Sequence, residues 1–154
     1  MAVSTGKFYE DFEVGDRYVT PARTVTEADI VNFAGISGDF NAVHTDEEFN
    51  RSLGLGGRFA HGVLTLAILT GLNDRTGVFE GTILAFLGMN KLSFKKYVRP
   101  GDTIHAEVEI IHKRESSKPG RGIVTTRFTG VNQNGEVVMD SEMVVLMRKK
   151  GEMG

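Results

Sequence analysis

The sequence predicts an α+β domain in which a curved antiparallel β-sheet wraps around one buried central helix. Three observations lead there. Residues 63–72, VLTLAILTGL, carry no charge and are apolar in character all round, the mark of a helix enclosed by protein. Ile104, Ala106, Val108 and Ile110 alternate with His105, Glu107 and Glu109, the period of two of a half-buried strand. Residues 121–133 and 136–148 are long strand-like runs joined at Asn134-Gly135, a pair that favours a type I′ hairpin turn. A sheet needs its apolar face covered, and the uncharged helix is the element able to cover it.

The remaining elements follow in chain order. Residues 7–24 read as an irregular or short-strand entry, with a turn at Gly15-Asp16 and Pro21 limiting helix. Thr26-Glu27-Ala28-Asp29 matches a capping box ahead of Ile30, Val31 and Phe33, so a short helix begins there and is expected to stop near Gly35. Residues 35–44, GISGDFNAVH, are too rich in Gly, Asp and Asn for regular structure. Thr45-Asp46-Glu47-Glu48 is a second capping box, opening another short helix through Phe49. Gly54-Leu55-Gly56-Gly57 reads as a flexible connection, because it lacks the preceding strand and following lysine of a phosphate loop. Everything after Gly77 reads as strand. With no repeat or linker in sight, residues 1–154 are expected to form one domain with its core at roughly 8–148, long enough to need no crosslink.

Charge and composition exclude several classes. A net charge of −2 and a pI near 6.1 leave no electrostatic footprint for nucleic acid or an anionic membrane. No run approaches the roughly 18 apolar residues of a membrane span, and charges at Lys7, Glu10, Asp11, Glu13 and Asp16 interrupt the start. There is no cysteine, hence no disulfide, thiolate metal site or cysteine nucleophile. A cytoplasmic protein with no nucleic-acid or membrane partner is expected.

Three groups could carry chemistry. Asp39 and His44 flank Phe40 to Val43, which as a loop can fold back and bring the two side chains together. Such a pair suits acid–base work, one member holding a water while the other gives or takes its proton. His44 precedes the second helix start, whose positive end favours a neutral imidazole. Asn41 could fasten the loop through an Asx-type bond. The third group is the His61-Gly62 junction, where unpaired N–H groups at a helix start and a glycine's open approach suit an oxyanion. Each has a plainer reading: Asp39 as a turn former, His44 as a structural residue, Gly62 as a helix-entry residue. His105 and His112 lack metal-ligand spacing and read as ordinary strand residues, so neither a metal site nor a cofactor is expected.

The motifs SGDFNAVH (37–44) and AHGVLTLAILTGL (60–72) resemble those of the MaoC-like dehydratases, which include the (R)-specific enoyl-CoA hydratases. The resemblance also takes in Phe12-Glu13-Val14-Gly15, the capping box at Thr26 and the Lys95-to-Asp102 strand end, spanning roughly residues 8–148. It implies a hotdog fold, a homodimer or dimer of dimers with a continuous sheet, and an acyl tunnel beside the buried helix. Asp39 and His44 match the family's catalytic pair, Asn41 its motif asparagine, and Gly62 the glycine whose N–H meets the thioester oxygen. Thr70 falls where some hydratases carry a small hydroxyl residue near the active site.

One departure stands out: the family's proline in G-D-x-N-P-[LIV]-H is Ala42, which frees φ and permits more loop motion. The activity so implied is reversible hydration of a trans-2-enoyl thioester to a 3-hydroxyacyl thioester, as in an enoyl-CoA hydratase acting on acyl-CoA, with (R)-stereochemistry resting on the resemblance alone. The rivals are an acyl-ACP dehydratase, a hotdog thioesterase and a non-enzymatic acyl-CoA-binding module. Lys91, Lys95, Lys96 and Arg99 are candidates for a phosphate-binding rim, though alternation sends Lys95 and Lys96 to opposite faces.

Overall fold

The computed structural model describes residues 6–151. Short strands β1 (Arg17–Val19) and β2 (Arg23–Thr24) lead into four helices, α1 (Glu27–Ser37), α2 (Ala42–Thr45), α3 (Glu47–Ser52) and α4 (Gly62–Asp74). Four long strands complete the chain: β3 (Ile83–Phe94), β4 (Thr103–Glu115), β5 (Arg121–Val131) and β6 (Val137–Arg148). The sheet is antiparallel in the order β1-β4-β5-β6-β3, with β2 pairing the start of β4. It wraps α4, giving the hotdog arrangement and the α+β class that the sequence predicts.

Alternation sets the register of the core. Ile104, Ala106, Val108 and Ile110 are each no more than 2% exposed, whereas Glu107 lies in solvent. From the helix, Leu64, Ile68, Leu69 and Leu72 recur at intervals of three and four and pack against this face. The seating is close at one point: a Cβ on Gly130 of β5 would lie 2.5 Å from Leu69 Cδ1, so glycine is what lets the helix sit down on the sheet. The other end is tied by the Tyr18 hydroxyl, which donates to Asn73 Oδ1 at 2.9 Å. Burial pushes the Tyr18 phenol well above its ordinary pKa, although the bond to Asn73 opposes the shift.

Several local expectations are corrected. Helix α1 passes through Gly35 and ends at Ser37, because Gly38 adopts φ 75° and returns its N–H to the Ala34 carbonyl. The second cap is Asp46 rather than Thr45: Asp46 accepts from Phe49 N, while the Thr45 hydroxyl donates to the carbonyls of Phe40 and Asn41. The segment expected to be irregular between Phe40 and His44 contains the single helical turn α2, started by Asn41, whose side chain accepts from Val43 N.

The β5–β6 connection is not type I′, since among the described residues only Lys91 combines a side chain with positive φ. Gly135 (φ 74°) follows a turn in which its N–H donates to Asn132 O, and Asn132 Oδ1 accepts from the N–H of Asn134 and Glu136. That is the three-residue loop with glycine in the left-handed position.

The Gly54–Gly57 connection is fastened rather than flexible. The Arg99 guanidinium donates to the carbonyls of Leu55, Gly57 and Arg58, and Asn50 Nδ2 donates to those of Val43 and Gly57. Finally, α4 is not enclosed on every side. Val63 is 60% exposed, and Val63, Ala67 and Thr70 line an apolar groove that Ile83 and Phe86 of β3 border.

Candidate active site

The site is assembled where the end of α1, the turn α2 and the amino end of α4 meet. Asp39 is held at three atoms. Its N–H donates to Ser37 Oγ (3.1 Å), its Oδ1 accepts from Asn41 N (3.2 Å), and its backbone carbonyl accepts from His61 Nε2 (2.9 Å). With Oδ1 engaged, Oδ2 is left facing His44 Nε2 at 4.0 Å.

His44 is buried, and its Nδ1 lies 2.8 Å from the Phe59 carbonyl oxygen. A carbonyl can only accept, so Nδ1 carries the hydrogen and Nε2 presents a lone pair toward Asp39. The Phe59 carbonyl therefore sets the tautomer of His44. Phe59 itself is steadied by its neighbour Arg58, which pairs with Glu27 and Glu47. Arg58's backbone N–H and guanidinium hold the Glu47 carboxyl below its usual pKa.

His61 is 2% exposed and occupies the N-cap of α4 without capping it. Its ring lies on that of His44, centroids 3.8 Å apart and tilted by 31°, with Phe33 at 4.9 Å. Donation from Nε2 to the Asp39 carbonyl places the hydrogen there, and leaves Nδ1 buried with no partner among the described residues. A buried unpaired polar atom of this kind costs about 1–3 kcal/mol. Sequence reasoning singled out the His61-Gly62 junction for its backbone and missed the imidazole. The available signal was a histidine, a poor capping residue, directly before an uncharged helix.

Gly62 is the first residue of α4, so its N–H has no acceptor within the helix. A Cβ at this position would lie 2.9 Å from the Phe94 ring, which gives glycine a packing reason of its own. Asn41 is brought into the site as the α2 cap. Thr70 lies eight residues along α4 from Gly62, about 12 Å of helix rise, away from Asp39 and His44 but on the wall of the apolar groove, and its hydroxyl donates to the Ala67 carbonyl.

Asp39, His44 and His61 offer ligand atoms that all lie within 4.8 Å of one another. The donor set is a poor metal centre all the same. A tetrahedral zinc site with bonds near 2.0–2.1 Å needs ligand atoms about 3.4 Å apart and convergent. Here His44 Nε2 and Asp39 Oδ2 are 4.0 Å apart, wider than that spacing, and the two imidazoles lie against each other with centroids 3.8 Å apart.

His105 lies 3.7 Å from Glu107 on its own strand and His112 is exposed, both remote from this cluster in the sheet. Of the basic rim, Lys91 pairs with Glu142, Lys96 with Glu136, and Arg99 serves the glycine loop. Lys95 alone of the four has no side-chain partner among the described residues. No helix among those residues is long and apolar enough to cross a membrane.

Comparison with known proteins places the chain in a family. Residues 11–132 match the family model described as MaoC like domain. The chain is 40% identical over 115 residues to Protein MaoC of Klebsiella aerogenes, covering 75% of this chain but 33% of that protein. It is 31% identical over 144 residues to the (R)-specific enoyl-CoA hydratase of Rhodospirillum rubrum, covering 94% of each. Among solved structures, a monoamine oxidase regulatory protein from Archaeoglobus superposes with a TM-score of 0.87 at 33% identity, covering 94% of this chain and 96% of that one. The chain thus spans a third of the Klebsiella relative and nearly all of the Rhodospirillum one. On the match across its core and the motifs carrying Asp39, His44 and Gly62, the chain belongs to the MaoC-like dehydratase family.

Proposed function

We propose that this protein catalyses the reversible hydration of trans-2-enoyl-CoA to (R)-3-hydroxyacyl-CoA. The observation that carries the reading is the pair of acceptors, Asp39 Oδ2 and His44 Nε2, 4.0 Å apart beside the amino end of α4. That spacing is too long for a direct hydrogen bond and fits one water donating a hydrogen to each, at about 2.8 Å. Both hydrogens of the water are then turned inward and an oxygen lone pair faces out.

In the hydration direction this oxygen bonds to the β-carbon of the enoyl thioester, and the Asp39–His44 pair takes one of its protons. Electron density moves through the α-carbon to the thioester oxygen, which the Gly62 N–H meets. The pair then returns a proton to the α-carbon, so that H and OH are added across the double bond and the thioester is intact. Val63, Ala67 and Thr70 place the wall of a groove of about 430 Å³ directly beyond Gly62, suited to the acyl chain. Coenzyme A as carrier and the (R) configuration follow the Rhodospirillum relative's name.

The assembly proposed is a homodimer joined at β3. This strand ends the sheet, and its Ile83, Leu84, Phe86 and Leu87 are each 41–55% exposed. An unpaired edge with apolar side chains on both faces calls for a partner strand, and a two-fold axis supplies an identical one.

Incubation with crotonyl-CoA, followed in parallel by product mass and by free thiol, tests the reaction. The expected product is the 3-hydroxyacyl thioester with negligible thiol. Stoichiometric thiol without that product would mean hydrolysis at the carbonyl carbon and would overturn the hydratase reading. No turnover of any enoyl thioester would leave a binding module.

A further inference from the structure

We infer that His61 is a positioning residue, which fixes Asp39 and His44 relative to each other and to the amino end of α4. The inference deepens the proposed hydration and rests on it. Two contacts of the imidazole and one link of the chain meet at this residue. Its Nε2–H holds the backbone carbonyl of Asp39 at 2.9 Å, its face lies 3.8 Å from that of His44, and its backbone leads directly into Gly62. The residue therefore touches the carbonyl of one member of the water-holding pair and the ring of the other, and its own chain carries the oxyanion donor.

No other described side chain joins all three. Ser37 and Asn41 fasten Asp39 from within its own loop, and Phe59 fastens His44 from the opposite edge. Among the described residues, His61 alone hydrogen-bonds that loop to α4, across 22 residues of sequence. The bond to a carbonyl makes it the Nε2–H tautomer, with the Nδ1 lone pair buried and unpaired. A purely structural core position would be better filled by phenylalanine, which has nearly the same shape and no unpaired nitrogen. The histidine makes sense through its donor.

That contrast supplies the test. His61→Phe keeps a ring against His44 and removes the donor, whereas His61→Gln keeps an amide N–H able to reach the Asp39 carbonyl and removes the ring. Thermal unfolding is expected to rank Phe at or above Gln. Activity is expected to rank the other way, with kcat on crotonyl-CoA falling on the order of 100-fold in His61→Phe while KM stays nearly constant, and falling much less in His61→Gln. In the His61→Phe background, adding Asp39→Asn should cost far less than it does alone, since Asp39 is already out of place. Full activity in His61→Phe, losses that simply follow thermal stability, or additive losses in the double variant would each overturn the assignment.

A second measurement does not depend on turnover. Nitrogen-15 imidazole spectra of the wild type should show His61 as the Nε2–H tautomer and His44 as the Nδ1–H tautomer. An Nδ1–H tautomer for His61 would remove the bond to Asp39 and with it the inference, whatever the reaction proves to be. Absence of hydratase activity in the wild type, with the tautomers as stated, would instead count against the proposed reaction alone.

Discussion

Replacing Ala42 by proline is expected to stabilise the protein and leave its chemistry in place. Three local conditions favour it. Ala42 is the first residue of α2, the helical position where proline's missing donor is least felt. Its N–H makes no hydrogen bond among the described residues, so none is lost. The preceding Asn41 sits at φ −53° and ψ 139°, in the extended region that a residue before proline must occupy.

The gain comes from the unfolded chain, which loses freedom that the folded turn has already surrendered. Its size is about 0.4–1 kcal/mol. For a chain of this length that is a rise of roughly 1–4 °C in Tm. The assay is thermal unfolding of both proteins at one fixed concentration, since assembly would make Tm concentration-dependent, with kcat on crotonyl-CoA measured alongside. Because Asp39 is fastened by Ser37, Asn41 and His61 and not by Ala42, activity should be unchanged within error. A lowered Tm would show that the Ala42 N–H or its φ is used in the fold, and would refute the description of Asn41 as the cap of an intact turn.

The other expectations are as direct. Asp39→Asn and His44→Ala should each lower turnover by at least about 100-fold with circular dichroism preserved, and a folded variant of near-full activity would remove that residue from the mechanism. Gly130→Ala should destabilise by about 1–3 kcal/mol in chemical denaturation, because its methyl meets Leu69 Cδ1, and an unchanged midpoint would show that the helix has room to move. Light scattering at micromolar concentration should report a dimer or a dimer of dimers, and placing a charge at Phe86 should split it; a stable wild-type monomer would contradict pairing at β3. Charge reversal at Lys95, whose ammonium is uncommitted, should raise KM for a CoA thioester more than for a pantetheine analogue. Equal effects on both substrates would show that it does not meet the nucleotide end.

What the sequence by itself determined was everything governed by short-range periodicity and by one dense motif. Alternation through Ile104–Ile110 specified both a strand and its buried face, since a shift by one residue would turn Glu107 and Glu109 into the core. The uncharged run after Gly62 specified the helix, and SGDFNAVH placed Asp39, Asn41 and His44 in one site. Local signals failed by one or two residues where side chains had competing partners. Thr45 spent its hydroxyl on the turn before it, and Gly35 stayed helical because Gly38 was the better stop.

Only the tertiary structure decided what depends on groups distant in sequence. The glycine loop is rigid because Arg99, more than forty positions on, donates into it. The tautomer of His44 is set by a carbonyl fifteen residues away, and the water-sized gap to Asp39 by three separate fastenings. The sequence marks His61 only as a poor cap before an uncharged helix, because its contacts to Asp39 and His44 exist only once the chain has folded. A residue's type states what bonds it can make; which of them it makes is decided by the neighbours that folding brings within reach.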